Sequence, residues 1–262
     1  MNELNIYLEV AVHSAKEAGT FLLNQFGEEH IPTYKSKADV SLDVDKESEN
    51  IIIRKIRKIF PSHNIYSEEL GKINNQSSFT WYIDPLDGTN NYFAGIPYFG
   101  VSIALVENSE ILLGVVYNPV TDQLFSALKG YGAFLNGEKI KTSNENKTSY
   151  SILSFIKGHA KVNSTSDIEA QKIEQILSSK FSRVLKMWAP SLDWCLLALE
   201  KINVLISYKS EFEDMLAGLL IAQEAGIIIY NFDGKPYQSG NNKIIAVHDN
   251  SADDFLQLLK SF

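Results

Sequence analysis

Asp84 and Asp87 stand three residues apart in the stretch WYIDPLDGTNN, residues 81–91, at the end of an apolar run. Pro85 fixes the backbone between them, and Gly88-Thr89 can open a helix after them. A strand end that feeds a helix N-terminus is a common ligand site in α/β sheets, and its free N–H groups suit a phosphate oxygen. Two carboxylates beside that spot repel the phosphate and each other. Divalent cations between them remove the conflict. A plain turn accounts for the string equally well, because Asp-Pro and Asp-Gly are frequent turn formers.

Other acids bear on that choice. Glu68-Glu69 closes an expected strand in SHNIYSEEL, and a neighbouring strand end could bring Glu68 beside Asp84. Asp214 opens an expected helix in SEFEDMLAG; taken alone, it reads as a partner of the helix dipole. Asp39, Asp43 and Asp45 in KADVSLDVDKESE loosely imitate a calcium loop, but the central Gly and the closing Glu are missing. Cys195 lies in an apolar helical pattern with Leu192, Leu196 and Leu199 and reads as core. The five histidines show no metal-ligand spacing, and no Ser-His-Asp motif is present. Gly130 and Gly132 in KGYGAFLNG read as sheet and turn glycines, since no helix follows them.

The elements that must position these acids follow from periodicity. Apolar residues at helical spacing predict helices over 3–26 and 43–60, the second with Ile52, Ile53, Ile56, Ile59 and Phe60 on one side and Pro61 as its stop. Residues 28–40 are polar and read as irregular. Strands are expected at 64–68, 79–84, 98–107, 110–118, 123–128 and 133–136, with a hairpin at Asn108-Ser109 and a turn at Asn136-Gly137. The second half alternates: strands at 151–156, 183–187, 203–207, 227–231 and 243–248, and helices at 166–179, 191–200, 213–225 and 252–261. Hairpins in the middle and alternation at the end predict a layered α/β (α+β) sandwich. One domain over 1–262 is expected, divisible into lobes of about 1–150 and 151–262.

Composition bounds the function. The chain has 262 residues, 45% of them hydrophobic, which is enough for a sizeable core. The net charge of -8, from 32 acidic and 24 basic residues with no basic block, disfavours nucleic acid as the main partner. A single cysteine excludes an intramolecular disulfide. No signal-peptide pattern and no membrane-spanning apolar run is visible, so a cytoplasmic location is expected.

Asp84-Pro85-Leu86-Asp87-Gly88-Thr89, preceded by Trp81 and followed by NNYF, resembles the signature of the inositol monophosphatase family of magnesium-dependent, lithium-sensitive phosphatases. AKEAG, FPSHNIYSEE, NPVTDQLFSALKGYGAFLNG, EDMLAG and EAG fall in the family's order, so the resemblance spans nearly the whole chain. It implies an α-β-α-β-α sandwich of the sugar-phosphatase type, a homodimer, and hydrolysis of a small phosphomonoester by water activated on two or three Mg2+ ions. Carried over, Glu68, Asp84 and the Leu86 carbonyl would hold the first ion. Asp84, Asp87 and Asp214 would hold the second, and a third would sit near Glu68. Thr89, bonded to Asp45, would orient the water; the Gly88 and Thr89 amides would hold the phosphate.

The departures concern substrate. Glu213 stands where the family often has Trp, and Leu70 where it often has Ser. Residues 188–193, WAPSLD, replace the substrate-contacting Gly-Ser-Ala-Ala. Where inositol-hydrolysing members place a Glu, this chain has Lys209, or Ser207 if no gap is allowed. Asp87, Ser191 and Lys209 are therefore the expected substrate contacts. Inositol monophosphate is the family default, and Lys209 with Ser191 suggests that it is a poor substrate. Fructose-bisphosphate, histidinol phosphate and phosphoadenosine phosphate are the alternatives, and a non-catalytic phospholigand-binding relative is the competing class.

Overall fold

A computed structural model describes residues 3–36, 39–140, 152–158 and 163–248. Helices α1 (Glu3–Gln25) and α2 (Asp43–Ile59) flank a hairpin of β1 (Pro32–Ser36) and β2 (Asp39–Leu42). Then come β3 (Asn64–Ser67), β4 (Gly71–Ile73), β5 (Phe79–Asp87), the short α3 (Thr89–Phe93), β6 (Gly100–Glu107), β7 (Glu110–Asn118), β8 (Gln123–Leu128), β9 (Gly132–Leu135) and β10 (Glu138–Lys139). The second half runs β11 (Ile152–Lys157), α4 (Thr165–Lys180), β12 (Arg183–Leu185), α5 (Pro190–Ala198), β13 (Val204–Tyr208), α6 (Phe212–Glu224), β14 (Ile228–Asn231) and β15 (Lys243–Val247). The expected helix at 252–261 lies outside the described residues.

Strands β10-β9-β8-β7-β6-β5-β3-β4 form one sheet, antiparallel except for the β3/β5 pair. Strands β12-β11-β13-β15-β14 form a second, with β11 parallel to β12 and β13. Side-chain alternation gives each sheet two apolar faces. On the larger sheet Trp81, Ile83, Ile103, Leu105 and Val115 pack against Ala11, Leu22, Ile52 and Ile56 of α1 and α2. Its other face, with Val106, Val116 and Phe125, packs against Leu192, Cys195, Ala217 and Leu220 of α5 and α6. Those two helices also pack through Trp194, Leu197, Met215 and Leu219 on Leu205 and Ile244 of the second sheet. The outer face of that sheet carries α4 through Ala170, Ile173 and Leu177. The layers are therefore α-β-α-β-α, as expected. Apolar residues surround α5 on all sides because it is the middle layer, sandwiched between two sheets.

Two aromatic details explain buried polar groups. Trp81 donates its indole N–H to Nδ1 of His63 at 3.1 Å, and His63 stacks on Phe60 and Phe79. Burial lowers the His63 pKa, which keeps the ring neutral and able to accept that bond. This histidine is a core residue.

The β1–β2 hairpin departs from the irregular segment expected at 28–40. Its strands are only five and four residues long, too short for the alternation in Asp39-Val40-Ser41-Leu42 to stand out, and the ladder from Pro32↔Leu42 to Ser36↔Asp39 defines it.

Candidate active site

The Asp84–Asp87 spacing poses a parity problem. Residues three apart on a regular strand point to opposite faces. β5 does not end at Asp84, as expected, but runs to Asp87 with an irregularity inside it. Asp84 pairs with Ser102 and Asp87 with Gly100, so β5 spends three steps where β6 spends two. This is a β-bulge at Pro85-Leu86, and one extra residue restores parity: both carboxylates lie on the face turned to α5 and α6. Proline suits the bulge because it has no N–H to leave unpaired. Asp84 Oδ1 accepts from the Leu86 N–H at 3.1 Å, and the Pro85 carbonyl accepts from the buried Ser48 hydroxyl at 2.8 Å.

Glu68 arrives from β3, which runs parallel to β5 with Ser67 opposite Ile83, so the next residue lies beside Asp84. Residues 68–70 form the hairpin between Ser67 and Gly71 rather than the end of a strand. Strand alternation therefore does not separate Glu68 from Glu69. What distinguishes Glu68 is that its charge acts directly on Asp84. Asp214 sits in the first turn of α6 and acts on Asp84 as well. Burial raises the Asp84 pKa well above the ordinary carboxylate range, and Glu68, Asp87 and Asp214 raise it further.

Four carboxylates from three segments thus converge, with Asp87 buried, Asp84 and Asp214 half-buried and Glu68 exposed. Among the described residues no three His, Cys, Asp or Glu side chains close into a finished cage. The donors are all hard oxygens with no nitrogen or sulfur, a set that fits Mg2+ and not a zinc-type ion.

Asp87 is tied to α5. That helix begins with Ala189 at its N-cap and Pro190 at its first position, so it has no side-chain cap of its own. Asp87 supplies one from another strand: its Oδ2 accepts the Ser191 N–H at 2.9 Å and the Ser191 hydroxyl, and the Leu192 N–H acts on it too. Burial pushes the Asp87 carboxyl up to about 7, with the Ser191 hydroxyl opposing it. Ser191 was expected to face substrate, but it is fully buried and spends its hydroxyl on Asp87. Lys209 is likewise engaged elsewhere: its ammonium lies 3.2 Å from Glu169 on α4 and over the Tyr208 ring. Trp188 stands on the rim before α5, exposed, with a left-handed φ of 55°.

The turn after the bulge explains Gly88. Its φ is 94°, and a Cβ there would lie 3.1 Å from the Tyr98 carbonyl and 3.2 Å from the Ala189 Cβ. Thr89 then lies 3.2 Å from Asp45 Oδ1 and 2.9 Å from the Leu86 carbonyl, so its one hydroxyl proton serves either acceptor. Burial pushes Asp45 up to about 7, against the bond it accepts from the Leu42 N–H.

A further buried acid lies behind the site. Asp193 accepts from Tyr98 at 2.9 Å and Ser154 at 2.6 Å, and burial pushes it up to about 6. A raised carboxyl pKa means that the folded state holds the proton more tightly. The stability it contributes is full below the unfolded pKa and lost as pH rises through about 6. Between pH 4 and 7 this group costs about 3 kcal/mol, and Asp193→Asn removes that part of the slope. Urea denaturation of both proteins across that range, without added metal, measures the difference; parallel curves refute the assignment.

Ser48 and Glu49 are the residues the sequence reading missed. Glu49 Oε1 accepts from the Ser67 hydroxyl and from the Glu69 and Leu70 N–H groups, both at 3.0 Å. Their signal was present. They extend the Ile52, Ile53, Ile56 stripe backwards by helical steps, so they are polar residues at core-facing positions.

The comparisons agree with this geometry. The chain matches the inositol monophosphatase family model over residues 3–261. It is 35% identical over 268 residues to the fructose-1,6-bisphosphatase/inositol-1-monophosphatase of Aquifex aeolicus, covering 100% of this chain and 98% of the relative. It is 34% identical over 250 residues to the Nus factor SuhB of Haemophilus influenzae, covering 93% and 92%. The inositol monophosphatase structure from Anabaena superposes with a TM-score of 0.85 at 29% identity over 99% and 97% of the two chains. With the acidic bulge, the five layers and the full-length match in agreement, the chain belongs to the inositol monophosphatase family of phosphoric monoester hydrolases.

Proposed function

We propose that the protein is a Mg2+-dependent phosphomonoesterase acting as a cytoplasmic homodimer on a small phosphorylated polyol or sugar. One observation carries the reading: Asp84 is held by the bulge among Glu68, Asp87 and Asp214, a repulsion that divalent ions relieve. Glu68, Asp84, the Leu86 carbonyl, Asp87 and Asp214 would hold two ions, with Asp84 bridging and a third ion near Glu68. Bound there, Mg2+ supplies Lewis-acid charge and makes water a better nucleophile at neutral pH. The Gly88 and Thr89 amides hold the phosphate. Thr89 takes a proton from the attacking water as it hands its own to Asp45, whose carboxyl near pKa 7 can take it and later release it to solvent. Water's oxygen bonds to phosphorus, the phosphorus–oxygen ester bond breaks, and the leaving oxygen takes a proton from solvent.

The substrate reading shifts toward the family default. Lys209 and Ser191 suggested that inositol monophosphate is a poor substrate, but both are occupied by protein partners. Inositol monophosphate therefore stands first, and the name of the Aquifex relative adds fructose 1,6-bisphosphate beside it. A phosphate-release panel over these two, histidinol phosphate and phosphoadenosine phosphate tests the proposal, with Mg2+, with chelator and with Li+. Release that needs Mg2+ and falls with Li+ is expected. Mg2+-independent release overturns the metal-dependent mechanism, and no release on any substrate overturns the enzyme reading and favours a phospholigand-binding relative.

A further inference from the structure

Helix α2 presents three buried polar side chains on one face, Asp45, Ser48 and Glu49, at 2%, 0% and 4% exposure. Their i, i+3, i+4 spacing stacks them along one ridge. Each reaches a different segment of the site: Asp45 reaches Thr89, Ser48 the Pro85 carbonyl in the bulge, and Glu49 the turn after β3. Below them Ile52, Ile53 and Ile56 lock the helix into the core shared with α1 and β5. A single rigid helix therefore sets the relative positions of the turn after β3 and the bulge and turn at 85–89, by a ridge rather than by a loop.

Within that ridge, we propose that Glu49 is a positioning residue for Glu68 and sets the affinity of the site for its divalent ion. This deepens the metal-dependent reading above and rests on it. One carboxylate oxygen of Glu49 takes donors from Ser67, Glu69 and Leu70, the residues on both sides of Glu68. A three-residue hairpin turn with two adjacent glutamates would otherwise sample several backbone arrangements, and the acids repel. The three bonds fix the backbone of the turn, so only the side-chain torsions of Glu68 remain to be ordered when an ion binds. Loss of an outer partner of a metal ligand typically costs about 10- to 100-fold in ion affinity.

Calorimetric titration of Mn2+ into wild type, Glu49→Gln and Ser67→Ala tests this, with Mg2+-dependence of phosphate release measured alongside. In Glu49→Gln the amide oxygen can take the place of Oε1, but the donors from Ser67, Glu69 and Leu70 lose their charged acceptor. The expected result is Mn2+ affinity weaker by about 10- to 100-fold, with kcat at saturating Mg2+ within a few-fold of wild type. Ser67→Ala, which removes one donor and leaves the fold intact, weakens Mn2+ by about fivefold. A purely structural glutamate lowers the thermal midpoint without moving the ion affinity of the folded protein. Unchanged Mn2+ affinity in Glu49→Gln overturns the proposal alone; if that variant does not fold, unchanged affinity in Ser67→Ala does so. Failure of wild type itself to bind Mn2+ or Mg2+ overturns the metal reading, and the role of Glu49 with it.

Discussion

Asp84→Asn abolishes Mg2+-dependent phosphate release and leaves the metal-free protein at least as stable as wild type. The two halves have one cause. Asp84 is the carboxylate on which Glu68, Asp87 and Asp214 all act, and burial adds to their repulsion. Asparagine keeps the shape and still accepts the Leu86 N–H, but it carries no charge. Without that charge the cluster loses the central carboxylate proposed to hold the divalent ions. Turnover should fall by about a thousandfold or more, or about 4 kcal/mol of transition-state stabilisation. The sign for stability runs the other way. A carboxyl whose pKa is raised by folding costs the native state stability at any pH above its unfolded pKa. Removing it relieves the other three acids. Thermal unfolding in chelator should give the variant an equal or higher midpoint. Added Mg2+ should raise the midpoint of wild type and much less that of the variant. Retained turnover, or a clear drop in the metal-free midpoint, contradicts the assignment of Asp84 to the centre of the cluster.

How much of this was legible in the sequence depends on how local the cause was. The layered α/β order follows from alternation of apolar periods, a short-range property, and the α-β-α-β-α stacking matches it. The nearness of Glu68 to Asp84 was also legible as a possibility, because acids at corresponding places of two expected strands lie side by side when the strands are parallel, as β3 and β5 are. The parity of Asp84 and Asp87 was not. The string DPLD fits a strand that stops or a strand with a bulge, and only the partner strand, with Ser102 and Gly100 opposite, decides between them. Ser191 and Lys209 were misjudged for a similar reason. Their partners, Asp87 and Glu169, lie 104 and 40 residues away, and nothing in the loop sequences encodes them. Ser48 and Glu49 escaped because serine and glutamate on a helix usually face water. Extending the isoleucine stripe by one turn would have marked both as buried.

A large loss of stability is expected from a single methyl group at Gly114 in β7. Its Cβ would lie 2.6 Å from the Ala217 carbonyl oxygen and 2.8 Å from the Ala217 Cα, both backbone atoms of α6. The backbone at Gly114 is not left-handed, so alanine meets no conformational penalty there and the whole cost is steric. Neither side can give easily. On the far side of α6, Gly218 lets the helix approach Trp194 so closely that a Cβ would fall 2.6 Å from the Trp194 Cβ. Helix α6 is therefore wedged between the large sheet and α5, and a methyl at 114 must push it bodily. Overpacking of this kind costs about 3 kcal/mol. The displacement reaches the site, because Asp214 lies one helical turn before Ala217. Gly114→Ala should thus lose about 3 kcal/mol in urea denaturation and also need more Mg2+ for half-maximal activity. Gly130→Ala provides the contrast: its φ of 79° strains an alanine, but nothing lies within 4 Å of the added methyl, so stability falls without a change in Mg2+ demand. Equal Mg2+ demand in wild type and Gly114→Ala would mean that α6 absorbs the push without moving Asp214, and that the packing of this helix does not set the geometry of the acidic cluster.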